Sequence, residues 1–313
     1  MNLKEKYRQL CLQESSIPIF SRDWWLDSVA GEANWDVVMV ENSGEVLGCF
    51  PYTFRKKIGF RIITMPRLTP WLYIYLNYPA EQKYTRRLAF QKKILTQLIE
   101  QLPDAVSFHQ KYHYSLTNWL PFYWKGFRQT TRYSYVIEDL SDPGKIFRDF
   151  RDNIRREIRK AEKKVMVEET EDVALFFSLA TRTFQRQNKT ITFSQELMEK
   201  LDQELVRRDQ RKIYLARDKN NQTVHAGLYL IWDENSAYYL AGGADPALRS
   251  SGASSLLMWT AIQFAATVTK KFDFEGSMIE PIERFFRAFG ANQKPYFSIY
   301  KRKFPFSLLN LFS

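Results

Sequence analysis

The sequence predicts an α/β fold of the α+β kind, with two tandem units whose mixed, mostly antiparallel sheets are flanked by helices. Three observations predict it. From Arg211 onward the chain reads as a three-strand meander followed by loop, helix, strand, helix and strand. The same order recurs between Trp35 and Ile137. A mainly helical segment, 143–210, separates the two copies. A repeat decides architecture before any motif does, because each copy has the same faces to bury.

In the first copy WDVVMVE, VLGCFPYTF and RIITMPR give the meander, with NSGE as its first turn. A basic helix over 81–101 and the strand AVSFHQ follow. The stretch LPFYWKGFRQTTRYSYVI (120–137) then supplies a short aromatic helix, a glycine and a Tyr-bearing strand. In the middle segment Phe147, Phe150, Ile154, Ile158, Ala161 and Val165 recur at three and four, one apolar helical stripe. Arg148, Arg151, Arg155 and Arg159 form a second stripe beside it. Nine basic residues face four acidic ones over 145–164, more than intrahelical pairs such as Asp152 with Arg156 need. The ridge is therefore a candidate polyanion contact, with a solvated helix face as the plainer alternative.

In the second copy IYLAR, TVHAGLYLIWD and AYYLAGG are strands joined by KNNQ and ENS turns. The turn around Arg249-Ser-Ser-Gly252-Ala-Ser254 leads into a helix over 252–268 that is apolar on most faces and so belongs inside. KKFDFEG is a short strand, PIERFFRAFG a helix with Pro281 in its first turn and Gly290 past its end, and PYFSIYKRK the last strand. The predicted division is 1–140 and 141–313, with the helical segment packed on the second unit. At 313 residues the chain is long enough for two such cores.

Lys and Arg outnumber Asp and Glu by 46 to 35, a net charge of +11 that favours anionic partners. Cys11 and Cys49 cannot build a disulfide framework, and three scattered histidines show no metal-ligand spacing or carboxylate partner. A reducing cytosol is the expected setting. MNLKEKYRQLCLQESS has no apolar core of a signal peptide, and no window nears the ~18 apolar residues of a membrane span. KRKFPFSLLNLFS mixes basic and apolar residues; docking of the chain end on the fold and peripheral contact with a membrane are both open. The absence of G-x-S-x-G, Walker and zinc patterns argues against hydrolase and NTPase chemistry.

The β-β-β-α-β-α-β order with R-x-x-G-x-S at the third strand-to-helix turn resembles the GNAT N-acyltransferase fold, whose usual turn is Q/R-x-x-G-x-G/A. Arg249, Gly252 and Ser254 occupy those places, with Ser254 departing from the usual small residue. The doubling, IRREIRKAEK, and FDFEGS before IERFFRAFGA resemble the Fem-type peptidyltransferases and the CelD-like acetyltransferases over about residues 15 to 303. This resemblance implies a donor held between the strand ending at Gly243 and the strand 271–275. Its phosphates would lie at Arg249, Gly252, Ala253, Ser254 and Ser255, where helix-start N–H groups welcome an anion. The first copy has no such glycine turn, so it is expected to form the acceptor side of a cleft.

Strand alternation puts Asp273 and Glu275 on one face and Phe272 and Phe274 on the other. Glu275 is the candidate general base, Asp273 a second carboxylate, and Tyr239 a candidate phenol beside Tyr238 and Tyr300. Packing and turn roles are the plainer reading of each. Phe285 and Phe286 stand where many GNAT enzymes present an acidic Tyr, so the leaving group's proton is left to solvent. The leading function is transfer of an acyl group from acyl-CoA or acetyl-CoA to an amine, without metal. The alternative is Fem-type transfer from aminoacyl-tRNA to a cell-wall (peptidoglycan) or lipid-linked precursor at the inner face of the membrane. A third reading, from another class, is a non-catalytic polyanion-binding module. DNA is not an expected partner.

Overall fold

The structure, a computed structural model, describes residues 2–186 and 190–303. The first copy comprises α1 (Leu3–Gln13), α2 (Asp23–Val29), β1 (Trp35–Asn42), β2 (Glu45–Lys57), β3 (Phe60–Thr64) and β4 (Tyr75–Leu76). It continues with α3 (Tyr84–Glu100), β5 (Ser107–Lys111), α4 (Leu120–Trp124) and β6 (Arg128–Ile137). The middle segment holds α5 (Pro143–Asp149), α6 (Asp152–Lys164), β7 (Val165–Thr170), α7 (Val173–Arg186) and α8 (Gln195–Arg207). The second copy runs β8 (Arg211–Asp218), β9 (Val224–Trp232), β10 (Ala237–Ala244), a 3₁₀ turn (Pro246–Ser251), α9 (Ala253–Val268), β11 (Phe272–Asp273), α10 (Glu280–Arg287) and β12 (Asn292–Arg302).

The two copies share their pairing rules. β1, β2 and β3 form an antiparallel meander and β3 pairs in parallel with β5. β8, β9 and β10 do the same, and β10 pairs in parallel with β11. The closing strands are exchanged: β5 is completed by β12, the last strand of the second copy, and β11 by β6, the last strand of the first. Compact units therefore cut through both strands. One unit is the chain up to Arg132 together with the chain from Pro295; the other is Tyr133–Lys294. The sequence division at 140/141 follows the repeat, whereas the units follow the exchanged strands.

Each unit has its own core. In the first, Trp35, Val37, Phe50, Ile94, Leu98, Phe122 and Ile299 are buried together. In the second, alternate β9 residues Ala226, Leu228, Leu230 and Trp232 join α9 and the apolar face of α6. The other β9 face meets α7 and α8, with Tyr229 against Phe176 at 5.5 Å. The middle segment differs from expectation in two respects. The single predicted helix breaks at Phe150 and Arg151, whose ψ angles of 145° and 147° are extended, so Arg148 lies on α5 and the other three arginines on or at the start of α6. VMVEET also forms β7, paired with β8, because its alternating valines suit a strand edge better than a charged helix end.

A buried ion pair fastens α8 to the sheet. Arg211 Nε donates to Asp202 Oδ1 at 2.8 Å, the Tyr229 hydroxyl donates to the same oxygen, and Arg211 also reaches Glu171. Removing one partner leaves the other charge buried. Arg211→Met should cost about 3 to 5 kcal/mol of unfolding free energy in urea, and Asp202→Leu with Arg211→Met should recover more than half of that. Additive losses in the double variant would contradict the pairing.

Candidate active site

β10 stays hydrogen-bonded to β9 as far as Ala244 but pairs with β11 only at Ala237–Phe272 and Tyr238–Asp273. Beyond that point β11 follows β6 instead, the Phe274 N–H donating to Tyr135 O at 2.9 Å. The two strands part, and β10 from Tyr239 onward has no ladder with β11. A register shift between Tyr239 and Ala241 accompanies the parting, as a bulge does when it re-aims side chains beside a site.

At the end of β10 Asp245 caps the 3₁₀ turn, accepting from Ala247 N–H at 2.9 Å. Gly252 then takes φ 78°, ψ 5° and starts α9. It is buried against α6: a Cβ there would lie 2.5 Å from the Glu157 carbonyl oxygen. The Ser255 hydroxyl donates to Glu157 Oε2 at 2.6 Å, and Lys160 Nζ to Ser250 O at 2.7 Å. Ala253 is buried, and its N–H meets Ser251 Oγ at 3.3 Å. The turn is therefore closed on its α6 side. Gly252 is required by the close approach of α6 as well as by its left-handed backbone, while Arg249 and Ser254 remain exposed.

Asp273 and Glu275 do not share a strand face, because β11 ends at Asp273 and Glu275 turns left-handed at φ 57°. Gly276 continues the turn at φ 69°, pressed so closely on β6 that a Cβ would fall 2.0 Å from Tyr133 O. A positive φ at a glutamate is sparsely populated and persists only where its surroundings impose it. Here Asp273 imposes it: its Oδ1 accepts the Glu275 N–H at 2.8 Å and the hydroxyl of buried Ser134. Asp273 Oδ2 has no hydrogen-bond partner among the described residues. Burial pushes the Asp273 carboxyl up to about 6, against the opposing pull of those two donors.

Tyr239 is partly buried, its ring edge-on to Phe286 at 5.7 Å and its hydroxyl over Gly242. Burial, and then the charge of Glu275, hold its phenol well above the usual range. It therefore stays protonated and donates hydrogen bonds. Tyr238 is a packing residue that donates to Asp233 at 3.1 Å, and Tyr300 lies on β12 opposite His109.

Of the ridge arginines, Arg155 is engaged with Asp152 and with Arg148 O, and Arg148 lies 3.8 Å from Asp142. The pairing partner of Asp152 is thus Arg155, not Arg156. Arg151, Arg156 and Arg159 are exposed and have no ion-pair partner among the described residues. Sequence reasoning missed Glu157, Ser134 and a buried pair, His225 Nε2 with Asp218 Oδ2 at 3.2 Å. The hairpin signal around KNNQ was the clue to that pair, since it folds positions 218 and 225 back on each other. His109 and His113 bond serine hydroxyls, of Ser298 and Ser115. Among the described residues no group of three His, Cys, Asp or Glu is arranged to hold a metal ion.

Residues 148–280 match the family model described as Acetyltransferase (GNAT) domain. That span runs from α5 to the start of α10 and contains α6, the turn at Gly252 and the Asp273–Gly276 corner. Among solved structures the chain is similar to FemX, with 12% identity and a TM-score of 0.68, over 95% of this chain and 96% of that one. A conserved protein of unknown function from Bacteroides thetaiotaomicron VPI-5482 gives 11% identity and a TM-score of 0.57, covering 97% and 98%. L-PGS from Bacillus licheniformis gives 12% and 0.54, covering 97% and 94%. At these identities the likeness is one of fold. Comparison with curated proteins gave no match.

Two outcomes follow from the geometry. Gly252→Val should destabilise the protein by about 2 kcal/mol or more in urea unfolding, since it combines a disfavoured φ with a backbone clash; an unchanged midpoint would contradict the contact with Glu157. The Asp273 carboxyl, at about 6 folded against 3.8 unfolded, holds a proton that the unfolded chain has lost. Its stabilisation is complete below pH 3.8 and is lost as pH rises through about 6. Asp273→Asn keeps the accepting oxygen and removes the titration. Between about pH 4 and 7 the parent should lose on the order of 3 kcal/mol relative to that variant. Parallel pH profiles would show that Asp273 does not titrate in this window.

Proposed function

We propose that this chain, an acyltransferase carrying a GNAT domain, moves an acyl group from acyl-CoA to an amine where β10 and β11 part. The observation that carries this reading is the coincidence of three features on one element. The edge of β10 that β11 leaves begins at Tyr239, runs to Ala244, whose N–H is taken by Thr183 Oγ1 of α7 at 2.9 Å, and faces the corner that holds Glu275, while the chain goes on to α9 through the Gly252 turn. A thioester arm laid along that edge would meet backbone groups able to bond it as an added strand. Its phosphates would fall near Arg249 and the Ser254 N–H and hydroxyl, with Lys160 close by, where helix start and cations favour an anion.

In this reading Glu275 takes the proton from the attacking amine as its nitrogen forms a bond to the thioester carbonyl. The carbon–sulfur bond then breaks and the thiolate leaves, to be protonated by solvent. Asp273 does not touch the reactants; it fixes the turn that presents Glu275. Tyr239, held protonated, orients the acyl group or the amine by donating a hydrogen bond. Ser255 belongs to the packing of the turn through Glu157.

A second reading is supported by α6. Arg151, Arg156 and Arg159 are exposed on or at the start of the helix that grips the donor turn, and a tRNA-borne aminoacyl donor would engage such a face through phosphates. Its acceptor would be the amine of a cell-wall or lipid-linked precursor. The two donors are separated by titration with acetyl-CoA, longer acyl-CoAs and charged tRNA. With CoA as donor, Arg249→Ala should weaken binding by about 1 to 3 kcal/mol, and exchange of the three arginines for Ala should leave it unchanged. With tRNA, the triple variant should bind less tightly and with a flatter salt dependence. Glu275→Gln should lower kcat by roughly 10²- to 10⁴-fold at nearly constant donor affinity. Full turnover in that variant would remove Glu275 from the chemistry, and lack of transfer from either donor would favour a binding role.

A further inference from the structure

We propose that one edge of the first unit docks on an anionic phospholipid surface, with the β2–β3 hairpin as the inserting element. This inference goes beyond the transfer chemistry and stands whichever donor is used.

The hairpin turns through two residues, Ile58 at φ 50° and Gly59 at φ 76°. Two left-handed residues in a two-residue hairpin favour Asn or Gly at both places. A β-branched residue at the first is a backbone outlier. Ile58 is also 86% exposed, and Phe60 beside it is 44% exposed. Neither backbone propensity nor burial in the fold accounts for isoleucine at this tip. An apolar medium outside the fold does.

The residues around the tip have the matching charge. Arg55, Lys56 and Lys57 are exposed and have no ion-pair partner among the described residues. The same edge collects the ends of neighbouring strands, since β3 and β5 begin there and β2 and β12 end there. The Val106 N–H donates to Arg61 O at 3.0 Å and the Lys303 N–H to Val106 O at 2.9 Å, so hairpin base, β5 and β12 stand abreast. Lys301 Nζ donates to Lys125 O at 2.7 Å, which brings in the turn after α4. The last two residues of α4, Tyr123 and Trp124, are 59% and 57% exposed. Aromatic rings among lysines and arginines, with one aliphatic tip projecting, are the chemistry of a headgroup interface. The acidic residues nearby, Asp104 and Glu100, are engaged with Lys303 and Lys125. No helix among the described residues is long and apolar enough to cross a membrane, so the contact is peripheral.

The test is cosedimentation of the full chain with vesicles of equal parts phosphatidylglycerol and phosphatidylcholine, against phosphatidylcholine alone. Binding should require phosphatidylglycerol and weaken with salt. Lys56→Glu with Lys57→Glu should lower the partition coefficient at least about fivefold per residue changed, and Ile58→Asp about tenfold. The changes sit at the exposed end of β2 and on its turn, and an unchanged melting temperature would confirm folding. Equal binding to the two vesicle types would overturn the proposal. So would vesicle binding that survives all three substitutions and disappears only on deletion of 304–313, since adhesion would then belong to the tail. Loss of RNA-oligonucleotide binding in the lysine variant with vesicle binding intact would assign the edge to nucleic acid instead.

Discussion

The buried carboxyl of Asp273 is the interaction on which the Glu275 corner depends. It is fully enclosed, yet one oxygen takes up both the Ser134 hydroxyl of β6 and the Glu275 N–H. The first bond keeps the end of β11 with β6; the second forces the chain into the left-handed turn that lifts Glu275 out of the strand. Without both, β11 could continue alongside β10 and the parting of the two strands would close. Burying a carboxyl at this place is costly, as its raised pKa shows. The gain is geometric: a free strand edge and a carboxylate held beside it.

The Gly252 turn depends on a comparable contact from the other side. α6 lies so close to Gly252 that its Glu157 carbonyl excludes any side chain there, and its Glu157 carboxylate and Lys160 hold Ser255 and Ser250. The basic helix is thus part of the support for the Gly252 turn as well as a charged surface. This ties the two candidate donors to one piece of structure.

Much of this was legible in the sequence. Period-two strands separated by turn residues, an apolar helix after a small-residue loop, and the recurrence of that order gave the architecture, because those patterns are local. Glu275 and Arg249 were reached as candidates for the same reason. The misses are non-local. Nothing near Gly252 announces that Glu157 lies above it, and nothing near Asp273 names Ser134 as its donor. The break at Phe150 and Arg151 escaped notice because the apolar stripe keeps its spacing across it. Strand alternation failed at Glu275 because a tertiary hydrogen bond overrode the local period.

The exchange of closing strands bears on how the chain is made. Tertiary bonds such as Ser134 to Asp273 and His109 to Ser298 join residues 139 and 189 positions apart. During synthesis the first unit must wait for the last strand before β5 is covered. Until then β5 is an open sheet edge able to pair with another nascent chain. The second unit, by contrast, finds β6 already waiting when β11 emerges. Folding of the first unit should therefore be completed only once β12 has been made, so that a strand made late seals one made early, with chaperone demand concentrated on that interval.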